Sequence, residues 1–217
     1  MANQSFEPAS YELTSADKKF VYEPAEDTHI LLDALAAEWT EIQDLNPSIC
    51  VEIGCGCGIV ACTLAKYCHN RCAVFAVDIN PCAAEVTHRN AALNSASVHV
   101  VVGDLLKCLS DRFRGSVDLL VFNPPYVPTD GFDEVDQVGV LALSWCGGDV
   151  DGTAVLRRLL PDISSLLTPN GVFYLVAIAS NRIDNLLVFD DRLRGSVVLE
   201  RKHGLERLYV LKFVRAR

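Results

Sequence analysis

Asn123-Pro124-Pro125-Tyr126 gathers an amide, two residues without a backbone N–H and an aromatic ring within four positions. Two prolines fix the chain and remove two donors, so nearby carbonyls stay free to accept. That arrangement suits an NH2 group, whose hydrogens can be taken by the Asn123 side-chain oxygen and the Pro124 carbonyl. Tyr126 offers a flat face for a planar amide or ring. Because an amide lone pair is conjugated, chemistry on that nitrogen depends on orientation more than on a strong base.

A second group lies upstream. Val51-Glu52-Ile53-Gly54-Cys55-Gly56-Cys57-Gly58 runs from a buried apolar stretch into glycines that let the backbone approach a ligand. A dinucleotide loop would need G-x-G-x-x-G, but the position for its third glycine is Ile59. The pattern E-x-G-x-G-x-G instead resembles the cofactor loop of class I methyltransferases. Asp78 follows Gly58 by 20 residues and closes the next apolar run, as a ribose-binding carboxylate does in other doubly wound nucleoside sites. Asp104 follows the run after that, in Val102-Gly103-Asp104-Leu105, where it could accept from an adenine amino group. No P-loop lysine accompanies the glycines, so a nucleotide phosphate has no cradle.

The elements that must hold these residues alternate along the chain. Strands are expected near Ile49–Gly54, Cys72–Asp78, Ser97–Val102, Val117–Asn123 and Gly171–Ala179, and helices near Ala25–Thr40, Gly58–Tyr67, Pro81–Asn94 and Gly152–Leu167. Two further strands, near Ser196–Arg201 and Leu205–Val214, are separated by His203-Gly204 and should form an antiparallel hairpin. Alternation of this kind predicts a doubly wound α/β sheet, parallel apart from that hairpin. The 217 residues fit one domain, expected over 21–217 behind a flexible segment 1–20.

Composition narrows the class. The longest apolar run, Val172 to Ala179, falls short of the roughly 18 residues that span a bilayer, and Met1–Ser10 reads as no secretory signal, so a cytoplasmic protein, with the nucleus as a second location, is expected. The nine cysteines are then reduced thiols. Cys55, Cys57, Cys62, Cys68 and Cys72 form no C-x2-C pair, so small apolar filler is the reading and no metal is expected. Asp190–Arg217 carries eight Lys/Arg against four Asp/Glu, a net of +4, which leaves −13 elsewhere in a total of −9. A duplex-DNA enzyme usually carries a basic footprint, and this chain has none over its body.

Taken together, the glycine loop and Asn123-Pro124-Pro125-Tyr126 resemble the HemK family of protein glutamine N5-methyltransferases. Val21-Tyr22-Glu23-Pro24-Ala25-Glu26-Asp27-Thr28 and Val117–Phe122 look like its eukaryotic and archaeal release-factor branch. The resemblance implies a class I fold with sheet order 3-2-1-4-5-7-6 and S-adenosylmethionine as cofactor. It places Thr28, Glu52, Gly54, Gly56, Asp78, Asp104, Leu105 and Asn123 around that cofactor, with Glu52 near the methionine amino end and Leu105 beside the adenine. Asn123, Pro124 and Tyr126 would serve the target amide. Bacterial members carry an N-terminal helical domain, whereas here about twenty residues precede Tyr22, so another device must orient the substrate. The implied substrate is the glutamine of the Gly-Gly-Gln loop of the translation termination factor, presented with its GTPase.

Relatives also bring two rivals, DNA adenine-N6 and histone-lysine methylation. The adenine amino group fits the same pocket once flipped out of the helix. The stretch Val127–Asp151 holds Asp130, Asp133, Glu134, Asp136, Asp149 and Asp151 without Lys or Arg, a rim that would attract a basic peptide. A lysine must first lose a proton, and no base is evident, so glutamine ranks first. The run Val98-His99-Val100-Val101-Val102 would lie at a sheet edge, with neither Lys nor Pro between Ser95 and Leu106 to blunt it. A partner strand could cover that edge, and the family suggests a small zinc-binding activator subunit.

Overall fold

The computed structural model describes residues 6–69, 71–129 and 139–216. Seven strands form one sheet: β1 (Ile49–Ile53), β2 (Ala73–Asp78), β3 (Val98–Val102), β4 (Val117–Phe122), β5 (Leu167–Ile178), β6 (Leu193–His203) and β7 (Glu206–Arg215), in the order β3-β2-β1-β4-β5-β7-β6. The β1–β2, β1–β4, β2–β3 and β4–β5 pairs are parallel, and β7 runs antiparallel to both β5 and β6. The expected order and terminal hairpin are both present.

Alternation along the strands divides the core in two. On one face Cys50, Val74, Leu119, Val121, Tyr174 and Val210 meet helices α1 (Glu26–Ala37), α2 (Trp39–Asp44), α3 (Ile59–Tyr67) and α4 (Pro81–Leu93). On the other, Val51, Ile53, Val77, Leu120, Phe173 and Leu211 meet α5 (Ser110–Phe113), α6 (Ala154–Leu166) and α7 (Ile183–Leu187). Each fully buried Leu, Ile or Phe contributes about 1.5–3 kcal/mol, so both helical layers are held mainly by apolar burial. Among the described residues no helix is long and apolar enough to cross a membrane.

Four expectations change. The helix expected over Ala25–Thr40 breaks at Glu38, whose φ of −91° and ψ of 3° end α1 and start α2. β5 begins at Leu167 rather than Gly171, because a register irregularity between Val117 and Leu119 lets Leu167 pair with Val117. His203 pairs with Glu206, so the hairpin turns on Gly204-Leu205, with Gly204 at a φ of 59° that only glycine adopts freely. Finally, residues 6–20 are not a loose lead. Ala9 N–H donates to Thr63 Oγ1 at 2.9 Å, Ser10 N–H to Asn94 Oδ1 at 2.9 Å and Glu12 N–H to Asn90 Oδ1 at 3.0 Å, while Phe6 stacks on Tyr67 with ring centroids 4.3 Å apart. Asn90 on α4 and its C-cap Asn94 lie four apart, so their side chains share a face and clamp residues 9–12 from one side.

Candidate active site

The parallel strands end in a cavity of about 320 Å³, in the size class of small-ligand sites. Gly54, Gly56 and Gly58 follow β1 with φ of 68°, 54° and 80°, a sequence of left-handed residues that turns the chain over the strand ends. Gly58 is required twice, since a Cβ there would also stand 2.7 Å from Thr87 Cγ2. Gly56 N–H donates to Asp78 Oδ2 and Asn80 N–H to Asp78 Oδ1, both at 2.9 Å, so the β2 carboxylate holds the glycine loop while facing the cavity. Burial pushes the Asp78 carboxyl above its ordinary range against those backbone donors.

Glu52 is a buried acid near the end of β1. Its Oε2 accepts the Ala61 N–H of α3 at 2.7 Å, and burial pushes its carboxyl well above the usual carboxylate range. A buried acid that lines an open cavity is matched by a ligand ammonium. Asp78 keeps lone pairs for a vicinal diol, and Ile79, 55% exposed at the cavity wall, offers an apolar surface to a flat base. Leu105, held at a φ of 51°, also lines the cavity. These groups fit S-adenosylmethionine, which supplies a methyl group on a positive sulfur.

Asp104 reaches the same wall with one oxygen committed. Its Oδ2 is bound by Lys107 Nζ at 2.6 Å and by Arg158, and the Lys107 hydrogen bond holds its carboxyl low. The expected contact with an adenine amino group therefore falls to its other oxygen. Arg158 was not anticipated at all.

Beyond the cofactor groups, the N-terminus of α1 brings Asp27 to the tetrapeptide. Asp27 Oδ2 accepts Asn123 Nδ2–H at 2.9 Å, while its Oδ1 accepts Thr28 N–H at 2.8 Å and the Tyr22 hydroxyl at 3.2 Å. Tyr126 also donates its hydroxyl to this carboxylate, and burial with Asp27 beside it raises the pKa of that phenol. A carboxylate only accepts, so the Asn123 amide must turn its NH2 inward and its oxygen outward. That Oδ1 is buried and has no hydrogen-bond partner. An orphaned acceptor is costly unless a ligand N–H satisfies it.

Of the residues singled out in sequence, Thr28, Glu52, Gly54, Gly56, Asp78, Asp104, Leu105 and Asn123 all line the cavity. The tetrapeptide departs from expectation in part. Asn123 and Pro125 line the wall, whereas Pro124 is buried beside them and Tyr126 turns toward Asp27 and the core. Asn181, missed in sequence, braces this turn: its Nδ2 donates to the Tyr126 carbonyl at 2.9 Å and the Asp151 carbonyl at 2.7 Å, and its Oδ1 accepts Ile178 N–H at 2.7 Å. The acidic rim is only partly visible. Asp130, Asp133, Glu134 and Asp136 lie outside the described residues, and Asp149 and Asp151 are both paired with Arg157.

Residues 25–137 match the family model described as the methyltransferase small domain. The methyltransferase HEMK2 of Homo sapiens is 42% identical over 198 residues, covering 90% of each chain. The chain belongs to the HemK family of methyltransferases. Within it, the eRF1 methyltransferase catalytic subunit mtq2 of Schizosaccharomyces pombe is 33% identical, covering 96% of this chain and 95% of its own. Among solved structures, the Mtq2-Trm112 complex of E. cuniculi, described as responsible for methylation of the eRF1 translation termination factor, aligns with a TM-score of 0.67 and 28% identity, over 91% of this chain and 99% of that one. As a HemK-family methyltransferase, this chain uses S-adenosylmethionine as its cofactor, in keeping with the ammonium, diol and base positions described above.

Proposed function

We propose that this HemK-family enzyme methylates the side-chain amide nitrogen of the glutamine in the Gly-Gly-Gln loop of the eRF1 termination factor, presented with its GTPase. The observation that carries the reading is the unpartnered Asn123 Oδ1. An uncharged NH2 group meets that acceptor with a hydrogen and keeps its nitrogen turned toward the methyl group. Orientation is the main contribution such a site makes, because the nitrogen needs no prior deprotonation. The names of the mtq2 and Mtq2-Trm112 relatives support the same target. A histone lysine is disfavoured because it arrives protonated, and among the described residues the carboxylate bonded to Asn123, that of Asp27, is already occupied by four donors.

The reading extends to a small zinc-binding activator subunit docked along β3. The outer edge of β6, at the far side of the sheet, carries Arg194, Glu200, Arg201 and Lys202. Strand β3 carries no such charges, has no fully buried residue and leaves Val102 54% exposed. Incompletely buried edges without Lys, Arg or Pro invite strand addition.

Two measurements test the proposal. The enzyme, expressed with a Trm112-type subunit, is given labelled cofactor and three substrates: the eRF1–GTPase complex, a histone tail and unmethylated DNA. Label on the glutamine of the first is expected, and label only on lysine or adenine would overturn the target. Val100→Lys is expected to abolish copurification of the two subunits; unchanged copurification would remove the docking site from β3.

A further inference from the structure

At the opposite end of the parallel strands from the cavity, three sulfur atoms meet. Cys50 is the second residue of β1, Cys72 immediately precedes β2, and Cys68 caps the C-terminus of α3. Their Sγ atoms all lie within 4.8 Å of one another, and the Cys50–Cys72 pair is 3.7 Å apart. Cys50 and Cys72 are buried, while Cys68 is partly exposed. Among the described residues this is the only group of three or more His, Cys, Asp or Glu side chains with such convergence.

We infer that Cys50, Cys68 and Cys72 form a three-sulfur site for a soft metal ion, zinc or monovalent copper, that ties α3 to the ends of β1 and β2. Three arguments support it. The spacing fits: zinc at about 2.3 Å from each sulfur in tetrahedral geometry sets the sulfurs about 3.8 Å apart. The chemistry fits: soft thiolates select zinc and monovalent copper, and three thiols offer one another only weak hydrogen bonds. The local field fits too, because the carbonyl end of the nine-residue α3 favours a cation beside Cys68.

A disulfide between Cys50 and Cys72 is a competing use of that pair, and register disfavours it. Cys50 pairs with Val74, so Cys72 sits two positions out of register. In regular strands that offset separates the α-carbons by roughly 8 Å, beyond the about 7 Å a disulfide bridges. A metal ion accommodates the wider spacing. Binding releases the thiol protons to solvent as the metal–sulfur bonds form, leaving the sulfur oxidation state unchanged. Sequence spacing concealed the group, because Cys50 lies 18 residues before Cys68 and only strand pairing brings Cys72 beside it.

The test uses the full-length chain, reduced, stripped with a chelator and titrated without oxygen. Cd(II) serves as the probe, since its thiolate charge-transfer absorption counts bound sulfurs; parallel titrations with Zn(II) and Cu(I) against a coloured chelator identify the preferred ion. One equivalent is expected to bind with three thiolates and to raise the melting temperature. Cys50→Ser, Cys68→Ser and Cys72→Ser should each weaken binding by at least about tenfold, the low end of what even outer partners of a metal site contribute. Cys82→Ser, at an exposed cysteine, should leave it unchanged. Should a buried variant fail to fold, partly exposed Cys68→Ala carries the same expectation. Failure of all three ions to bind stoichiometrically, or equal binding by wild type and the Cys68 variants, would overturn the site.

Discussion

The Asp27 carboxylate holds the Asn123 amide at 2.9 Å and thereby fixes which of its ends faces the cavity. Asp27→Asn introduces a donor where only an acceptor stood, and lets the Asn123 amide reverse. The expected result is a single-turnover methyl-transfer rate lowered by about 10²-fold, the scale of one positioned transition-state contact. Cofactor affinity, measured by calorimetry, should change much less. A normal rate in Asp27→Asn would show that the amide is oriented by other contacts.

Removing the acceptor itself has the same direction. Asn123→Ala is expected to lower the single-turnover rate on the eRF1–GTPase complex by about two orders of magnitude or more. Because Asn123 also lines the cofactor cavity, a modest loss of cofactor affinity accompanies it. Rapid-quench measurement at saturating cofactor separates the two effects.

Asp78 carries a double duty, accepting from the Gly56 and Asn80 backbones and facing the diol position. Asp78→Ala should weaken cofactor binding by about 1.5–3 kcal/mol, the range for hydrogen bonds to a charged group. Calorimetry on the folded variant reads this directly; undiminished affinity would refute the ribose assignment.

Glu52 makes cofactor binding pH-dependent. Burial raises its carboxyl in the free enzyme, and a ligand ammonium beside it acts in the opposite direction by favouring the charged form. The sign follows: cofactor affinity rises as pH rises through the raised pKa of Glu52, then levels. For the free chain, the stability associated with neutral Glu52 is full below its unfolded pKa and is lost as pH rises through the folded one. Glu52→Gln should flatten both profiles, in calorimetric affinity and in melting temperature.

Sequence by itself determined the glycine loop, Asp78 and Asn123-Pro124-Pro125-Tyr126, because each depends on local backbone chemistry at a strand end and such chemistry is written in neighbouring residues. It also determined the sheet order through the family pattern those motifs belong to. Tertiary structure alone decided what crosses long separations. Asp27 stands 96 residues before Asn123, and nothing in its local context marks it as the residue that turns the amide. Arg158 reaches Asp104 from α6 across 54 residues, and Asn181 braces Tyr126 across 55. Residues 6–20 looked like a free lead because their anchors are backbone hydrogen bonds to side chains of α3 and α4, which leave no periodic trace in sequence. Side-chain partners chosen by packing carry no fixed spacing, so only the folded chain reveals them.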